Sequence, residues 1–222
     1  MKSTNQSKRF IRMEAKEISK TVIARLPRYF RYLGELKEQG TERISSKDLS
    51  QLMNVTASQI RQDLNNFGGF GQQGYGYNVN YLYGEIGKLL GLDKPHNLII
   101  CGAGSLGTAL AGNPDFINAG FRIKAMFDVD PVKIGKFLHG IEVHSNSELE
   151  DFIKENDIDI AIVAVPVNSA NTLKDKLVDY GIRAIWNFSN TDLDVPDDVA
   201  VENVHLLDSL MKLSCVKVRQ MN

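Results

Sequence analysis

Beyond residue 96 the apolar positions fall into two rhythms. Short apolar runs stand at residues 97–101 (NLIIC), 121–127 (FRIKAMF), 159–165 (DIAIVAV), 182–186 (IRAIW) and 199–204 (VAVENV). Those at 97–101, 159–165 and 182–186 are nearly continuous in apolar residues, as strands are when helices cover both faces. Between the runs, residues 105–111, 147–156 and 168–180 carry helical spacing. Such alternation predicts an α/β fold on a doubly wound parallel sheet.

The first 92 residues have a different texture. Ile18, Val22, Ile23 and Leu26 form one helical stripe, and Pro27 stands where a first-turn proline is tolerated. Tyr29, Phe30, Leu33 and Leu36 continue a helix that Gly40 ends. Ser45 and Asp48 have capping-box spacing ahead of a short helix that buries Leu49, Leu52 and Met53. Asn54-Val55 makes a tight turn, and Thr56 caps a third helix reaching about Phe67. This is the helix-turn-helix layout.

On the third helix Ile60, Leu64 and Phe67 share one side, while Ser58, Arg61, Gln62, Asn65 and Asn66 project from the other. Asn and Gln pair bidentately with adenine and Arg with guanine, so the outward set suits base edges in a major groove; the plainer reading is a solvated polar face. Residues 68–79 (GGFGQQGYGYNV) interleave glycines with Phe70, Tyr75 and Tyr77. They read as a β-hairpin in the position of a wing, with Gln72 and Gln73 placed to approach phosphates or the minor groove, or else as a flexible loop whose aromatics pack back on the helices. A further helix spans 81–92, and residues 93–95 (DKP) form a joint. The chain thus divides into a winged-helix domain at 1–92, a parallel-sheet domain at 93–204 and a C-terminal helix and tail at 205–222.

Charge sharpens the division. The net charge of −1 is a cancellation: residues 1–95 hold 15 Lys+Arg against 9 Asp+Glu, and residues 96–222 hold 11 against 18. A basic first half suits a polyanionic partner. The ordinary balance of 43% apolar and 24% charged residues excludes disorder and low complexity. No apolar run is long enough to span a membrane, and no signal peptide is expected from the N-terminus. Cys101 and Cys215 make neither a disulfide framework nor a zinc pattern, which implies a reducing cytoplasm; Cys101 reads as a small core residue.

Gly102-Ala103-Gly104-Ser105-Leu106-Gly107 is G-x-G-x-x-G, and it follows a strand and opens a helix. The first glycine permits the tight turn, the second lets backbone approach a pyrophosphate, and the third lets helix pack on strand. Free amides at the helix start face the anion. The next strand ends at Asp128, where a carboxylate accepts bonds from ribose hydroxyls and repels a 2′-phosphate, favouring NAD(H) over NADP(H). Asp130 is a second candidate, although Asp130-Pro131 reads better as a turn. Val165-Pro166 and Asn187-Phe188 end later strands and are expected near the nicotinamide half. The sheet is therefore expected to be Rossmann-type.

An enzyme at such a site needs a proton relay. His96, His139, His144 and His205 have no metal-ligand spacing and none ends a central strand; no Tyr-x-x-x-Lys pair occurs. No catalytic residue and no metal are expected, and about 18 residues after the last strand are too few for a substrate domain. The alternatives are a small NAD-dependent oxidoreductase with a helical appendage, or a winged-helix regulator reading coenzyme A or NADP(H).

From about Ile18 to Leu213 the chain resembles the Rex family of bacterial redox-sensing transcriptional repressors. The likeness rests on residues 26–36 (LPRYFRYLGEL), Ser45-Ser46, 58–64 (SQIRQDL), 67–79 with Gly76-Tyr77, the turn GAGSLG, 127–135 (FDVDPVKIG), 164–166, Asn187-Phe188 and 199–204. The resemblance implies a homodimer that binds palindromic double-stranded operator DNA when the NADH/NAD+ ratio is low and releases it on binding NADH. It places Ser46, Lys47, Ser58, Gln59, Arg61, Gln62, Asn65, Gln72, Gln73 and Tyr75 toward DNA, and adds Val129 and Lys133 to the cofactor site. It further implies a C-terminal helix, about 206–213, exchanged between subunits. The chain departs from the family at Asn113, His205 and Leu206, positions implied to hold the closed dimer, with Asp208 as a substitute. Gln62 and Gln73 stand where relatives carry Lys and Arg.

Overall fold

The computed structural model describes residues 19–65, 71–72 and 75–220. Of the residues singled out above, Ile18, Asn66, Phe67, Gly68, Gly69, Phe70, Gln73 and Gly74 lie outside these, and Gln72 is described in its backbone only. The described chain forms two compact units, 1–93 and 94–222.

In the first unit a short helix α1 (Lys20–Ile23) precedes α2 (Leu26–Glu38), with Pro27 in its first turn. Of the expected stripe Val22 and Leu26 are buried, but Ile23 is exposed, because the helix restarts at Leu26. Gly40 adopts φ +73° and closes α2. A two-residue strand β1 (Arg43–Ile44) leads to α3 (Ser46–Met53). Ser45 caps α3 by accepting the Asp48 amide at 3.0 Å. Leu49 and Met53 are buried, whereas Leu52 is 45% exposed. At about 100° per residue Leu52 falls a quarter-turn from Met53, off the narrow buried stripe. Asn54 turns the chain through a left-handed conformation, and Thr56 caps α4 (Ala57–Asn65) through the Gln59 amide at 3.1 Å.

The glycine-rich segment forms an antiparallel hairpin, β2 (Gly71–Gln72) and β3 (Gly76–Asn78), with Gly71 opposite Tyr77. β1 pairs with the other edge of β3, a strand too short for any sequence period to reveal. Gly76, at φ +70°, lies where a methyl group would fall 2.7 Å from the Ile44 carbonyl oxygen. Helix α5 (Val79–Leu89) starts two residues earlier than its pattern suggests, because the Asn78 side chain accepts the Tyr81 amide at 2.8 Å. Tyr29, Leu33, Leu49, Met53, Ile60, Leu64, Leu82 and Ile86 fill the core.

The second unit runs β4 (His96–Cys101), α6 (Ser105–Ala111), α7 (Pro114–Asn118), β5 (Phe121–Asp128), β6 (Phe137–Leu138), β7 (Ile141–Ser145), α8 (Leu149–Glu155), β8 (Ile160–Val163), α9 (Val167–Asp179), β9 (Ala184–Asn187), β10 (Ala200–Asn203) and α10 (Leu206–Gln220). The strand order is β10-β9-β8-β4-β5-β7-β6, parallel throughout except for β6 against β7. The expected doubly wound parallel sheet is present. The β6–β7 hairpin and α7 are additions the apolar pattern did not signal. The chain moves outward from β4 through β5 to β7, then returns to β8 on β4's other side. A crevice therefore opens at the carboxyl ends of β4 and β8.

Candidate functional site

On α4 the inward residues Ile60 and Leu64 are fully buried, while Ser58, Arg61, Gln62 and Asn65 are exposed. Lys47 is exposed on α3, and Arg61 Nη1 donates to Ser46 Oγ at 3.1 Å, so the two helices present one polar surface. Tyr75, 70% exposed, stands at the hairpin, and its carbonyl oxygen accepts from Arg43 Nη1 at 3.3 Å.

One residue of α4 that the sequence did not single out sets the helix in place. Asp63 is completely buried and takes four donors: Arg25 Nε and Nη2, each at 2.7 Å, Tyr29 Oη at 2.9 Å and Gln59 Nε2 at 2.8 Å. Burial pushes its carboxyl pKa up, but the bonds from Arg25, Gln59 and Tyr29 outweigh this and hold it below the usual range. The Tyr29 phenol is pushed up by burial and by its bond to Asp63. This network corrects the expectation for Gln59. One helical turn from Asp63, its carboxamide is turned inward and engaged there.

In the second unit the glycine turn divides by steric role. Gly102 has φ +108°, and a methyl group there would strike the Ala164 carbonyl; one on Gly107 would strike the Gly102 carbonyl. Both are demanded by the fold. A methyl group on Gly104 would meet no atom within 4 Å, and Gly104 lines a cleft of about 560 Å³. That glycine is free of any packing demand and leaves room for a ligand to approach the backbone. Ser105 is exposed at the start of α6, and Leu106 is half-buried behind it.

Asp128 ends β5 in the same cleft. Its Oδ2 accepts the Ala103 amide at 2.8 Å and Lys133 Nζ at 3.1 Å, and its Oδ1 accepts the Asp130 amide at 2.9 Å. Burial raises its pKa, but the bonds from Asp130, Lys133 and Ala103 win and keep it ionised. Asp130 turns the chain, its own carboxylate accepting the Val132 amide at 2.9 Å. Gly102, Asp128, Val129, Lys133, Val165 and Pro166 all line the cleft. So do residues the sequence did not flag: Phe127, Asn146 and Leu149 on one side, Ser169, Thr172, Leu173 and Lys176 of α9 on the other. These come together only through the strand order.

Asn187 is a correction. It is fully buried, and its Nδ2 donates to the Thr191 carbonyl and Asn203 Oδ1, both at 2.7 Å, while its Oδ1 accepts from Ser189. It braces the end of β9 and has nothing left for a nicotinamide. Phe188 packs with Trp186, ring centroids 4.6 Å apart, and does not line the cleft.

Asn113 caps α7 through the Asp115 amide at 3.0 Å. His205 Nε2 lies 3.0 Å from Asp192 Oδ1 at the entrance to α10. Leu206 and Asp208 sit exposed on α10, whose Leu207, Leu210, Met211, Leu213 and Val216 are also exposed. Cys101 is buried, its thiol pushed up to about 12 by burial, while Cys215 is exposed. Among the described residues, no histidine, cysteine or tyrosine lines the cleft. Among the described residues no group of three or more His, Cys, Asp or Glu is placed to hold a metal, and no helix is long and apolar enough to cross a membrane. The cleft's open glycine at the start of α6 and its ionised Asp128 fit the adenosine diphosphate half of a dinucleotide.

Known proteins match both units. The family model "Putative DNA-binding protein N-terminus" covers residues 17–65, and "CoA binding domain" covers residues 93–191. The redox-sensing transcriptional repressor Rex of Clostridioides difficile strain 630 is 56% identical over 90% of this chain and 95% of its own length. That of Thermoanaerobacter pseudethanolicus is 56% identical over 89% of this chain and 88% of its own. A crystal structure of RSP with β-NAD+ and operator DNA has a TM-score of 0.88 at 54% identity, covering 92% of this chain and 94% of that one. RSP with β-NADH gives 0.85 at 51% identity, covering 92% and 96%. With identity this high across both units, the chain belongs to the Rex family of redox-sensing transcriptional repressors.

Proposed function

We propose that the chain is an NADH-responsive repressor of transcription, acting in the cytoplasm as a homodimer that holds palindromic operator DNA when NADH is scarce. A single observation carries this reading. One polypeptide joins a helix-turn-helix with an outward Arg/Gln/Asn face to a cleft whose one unconstrained glycine and ionised carboxylate suit NAD(H).

Ser58, Arg61, Gln62 and Asn65 read base edges, with Ser46, Lys47 and Tyr75 on the flanking backbone. The amides at the start of α6, after Gly104, hold the diphosphate, and Asp128, anchored by Ala103 and Lys133, takes the ribose hydroxyls. Val129, Val165 and Pro166 form the surrounding walls. The dinucleotide, when bound, supplies no reaction here; it supplies differential affinity. The exposed leucines of α10 associate with a second copy, and Asn113, His205, Leu206 and Asp208 lie at the elements that change partners between states.

Effector binding shifts DNA affinity only to the extent that the cleft prefers one conformation. Tenfold weaker operator binding corresponds to about 1.4 kcal/mol of coupling, and reciprocity requires operator to weaken NADH by the same factor. The test is a gel shift on a palindromic operator with half-sites about one helical turn apart, or a multiple, with and without NADH. Release by NADH, matched by weaker NADH binding in the presence of operator, is expected. Equal NADH affinities with and without operator refute the mechanism.

A further inference from the structure

Asn146 stands out within the second unit. Its Oδ1 is buried and has no hydrogen-bond partner, a state buried acceptors seldom keep. The residue is not loose. Ser145 and Glu148 close a capping box around it, with Ser145 Oγ accepting the Ser147 amide and Glu148 Oε1 accepting the Ser145 amide at 3.1 Å. Asn146 lines the cleft, so a ligand seated there can bring the donor that Oδ1 lacks.

Its position says which donor. Gly102 and Asn146 follow the carboxyl ends of β4 and β7, and Asp128 ends β5, the strand between them, where it pairs across to Ser145. Neighbouring strands are about 4.8 Å apart, so the three positions span about 10 Å. A dinucleotide laid across them from the glycine turn presents diphosphate, then ribose, then base. Phe127 and Leu149, both buried, give an apolar wall on the side of Asn146, suited to a planar ring.

We infer that Asn146 selects adenine as the base of the dinucleotide, its Oδ1 accepting from the exocyclic N6 amino group. This rests on the cofactor reading above. Hypoxanthine carries a carbonyl oxygen where adenine carries that amino group, so Asn146 would face it acceptor to acceptor or have to turn its carboxamide over to meet it.

The test is calorimetric titration of the full-length protein with NADH and with its hypoxanthine counterpart, reduced nicotinamide hypoxanthine dinucleotide. The wild type binds NADH about tenfold tighter, the factor that 1.4 kcal/mol represents. Asn146→Ala brings the ratio near one, chiefly by weakening NADH. Asn146→Asp, isosteric and an acceptor at both oxygens, keeps or widens the preference, since a carboxylate attracts the amino group, repels the carbonyl oxygen and cannot turn over to donate. Equal affinities in the wild type, or an unchanged ratio in Asn146→Ala that retains its circular dichroism, overturn the inference and leave the cofactor reading standing. Failure of the wild type to bind either dinucleotide at millimolar concentration overturns both.

Discussion

Replacing Arg25 by alanine strands a charge inside the helix-turn-helix unit. Asp63 is wholly buried and loses two of its four donors, both from the guanidinium at 2.7 Å. Removing one partner of a buried pair costs about 3–5 kcal/mol, because the remaining charge is left uncompensated. The Arg25 side chain is 21% exposed, so water softens the pair and the lower end applies, about 3 kcal/mol. With a urea m-value of about 1.5 kcal/mol/M, the midpoint of unfolding falls by about 2 M. Far-UV circular dichroism reads this in the helical first unit, while Trp186, the single tryptophan, reports on the second. The variant's operator affinity falls with it, since α4 carries both Asp63 and the reading face. The pH dependence follows from Asp63's lowered pKa. The pair's stabilisation is fully present above the unfolded carboxyl value of about 3.9 and is lost as pH falls through the lower folded value. In the variant burial acts on Asp63 with less opposition, so the gap between the two proteins narrows below about pH 4. A midpoint shift under about 0.5 M at pH 7, or a gap that widens in acid, refutes the reasoning.

The two glycines of the turn separate fold from binding: Gly107→Ala is expected to prevent stable folding of the second unit, by collision with the Gly102 carbonyl, whereas Gly104→Ala keeps its thermal midpoint within a few degrees and loses NADH affinity at least tenfold by titration. Adding a cation at each of two positions proposed to face DNA, Gln62→Lys with Gln73→Arg, steepens the log–log salt dependence of operator binding by about 1.8, at roughly 0.9 per phosphate neutralised; an unchanged slope places neither residue near DNA. Leu210→Glu, on the exposed apolar face of α10, converts the proposed dimer to monomer by sedimentation and removes operator binding at nanomolar concentration.

The glycine turn was legible because its constraints are close in sequence: Gly107 abuts the carbonyl of Gly102, and the strand before and helix after carry their own periods. The strands at 97–101 and 159–165 were legible because burial on both faces removes the alternation a half-exposed strand shows. Asp63 was not legible. A lone aspartate on a helix reads as solvated, and its Arg25 and Tyr29 partners lie 38 and 34 residues away. The family resemblance placed Gln59 toward DNA, whereas its carboxamide turns to Asp63 one helical turn on. Asn187 misled in the opposite direction: a polar residue at a strand end resembles a ligand contact until Thr191, Ser189 and Asn203 are seen to consume its carboxamide.

By itself, then, the amino-acid sequence determined the two-part architecture, the helix-turn-helix, the phosphate turn and the acid that closes it, because each is written in local spacing, backbone conformational demand or burial pattern. Tertiary structure alone decided which polar side chains are free to meet a ligand and which are spent inside. It did so through strand order, which brings Asn146 and the α9 residues to the cleft, and through buried hydrogen bonding, which engages Asp63, Gln59 and Asn187 inside the protein. The physical reason is that hydrogen-bond capacity is finite, and where it is satisfied depends on neighbours that only the fold assembles.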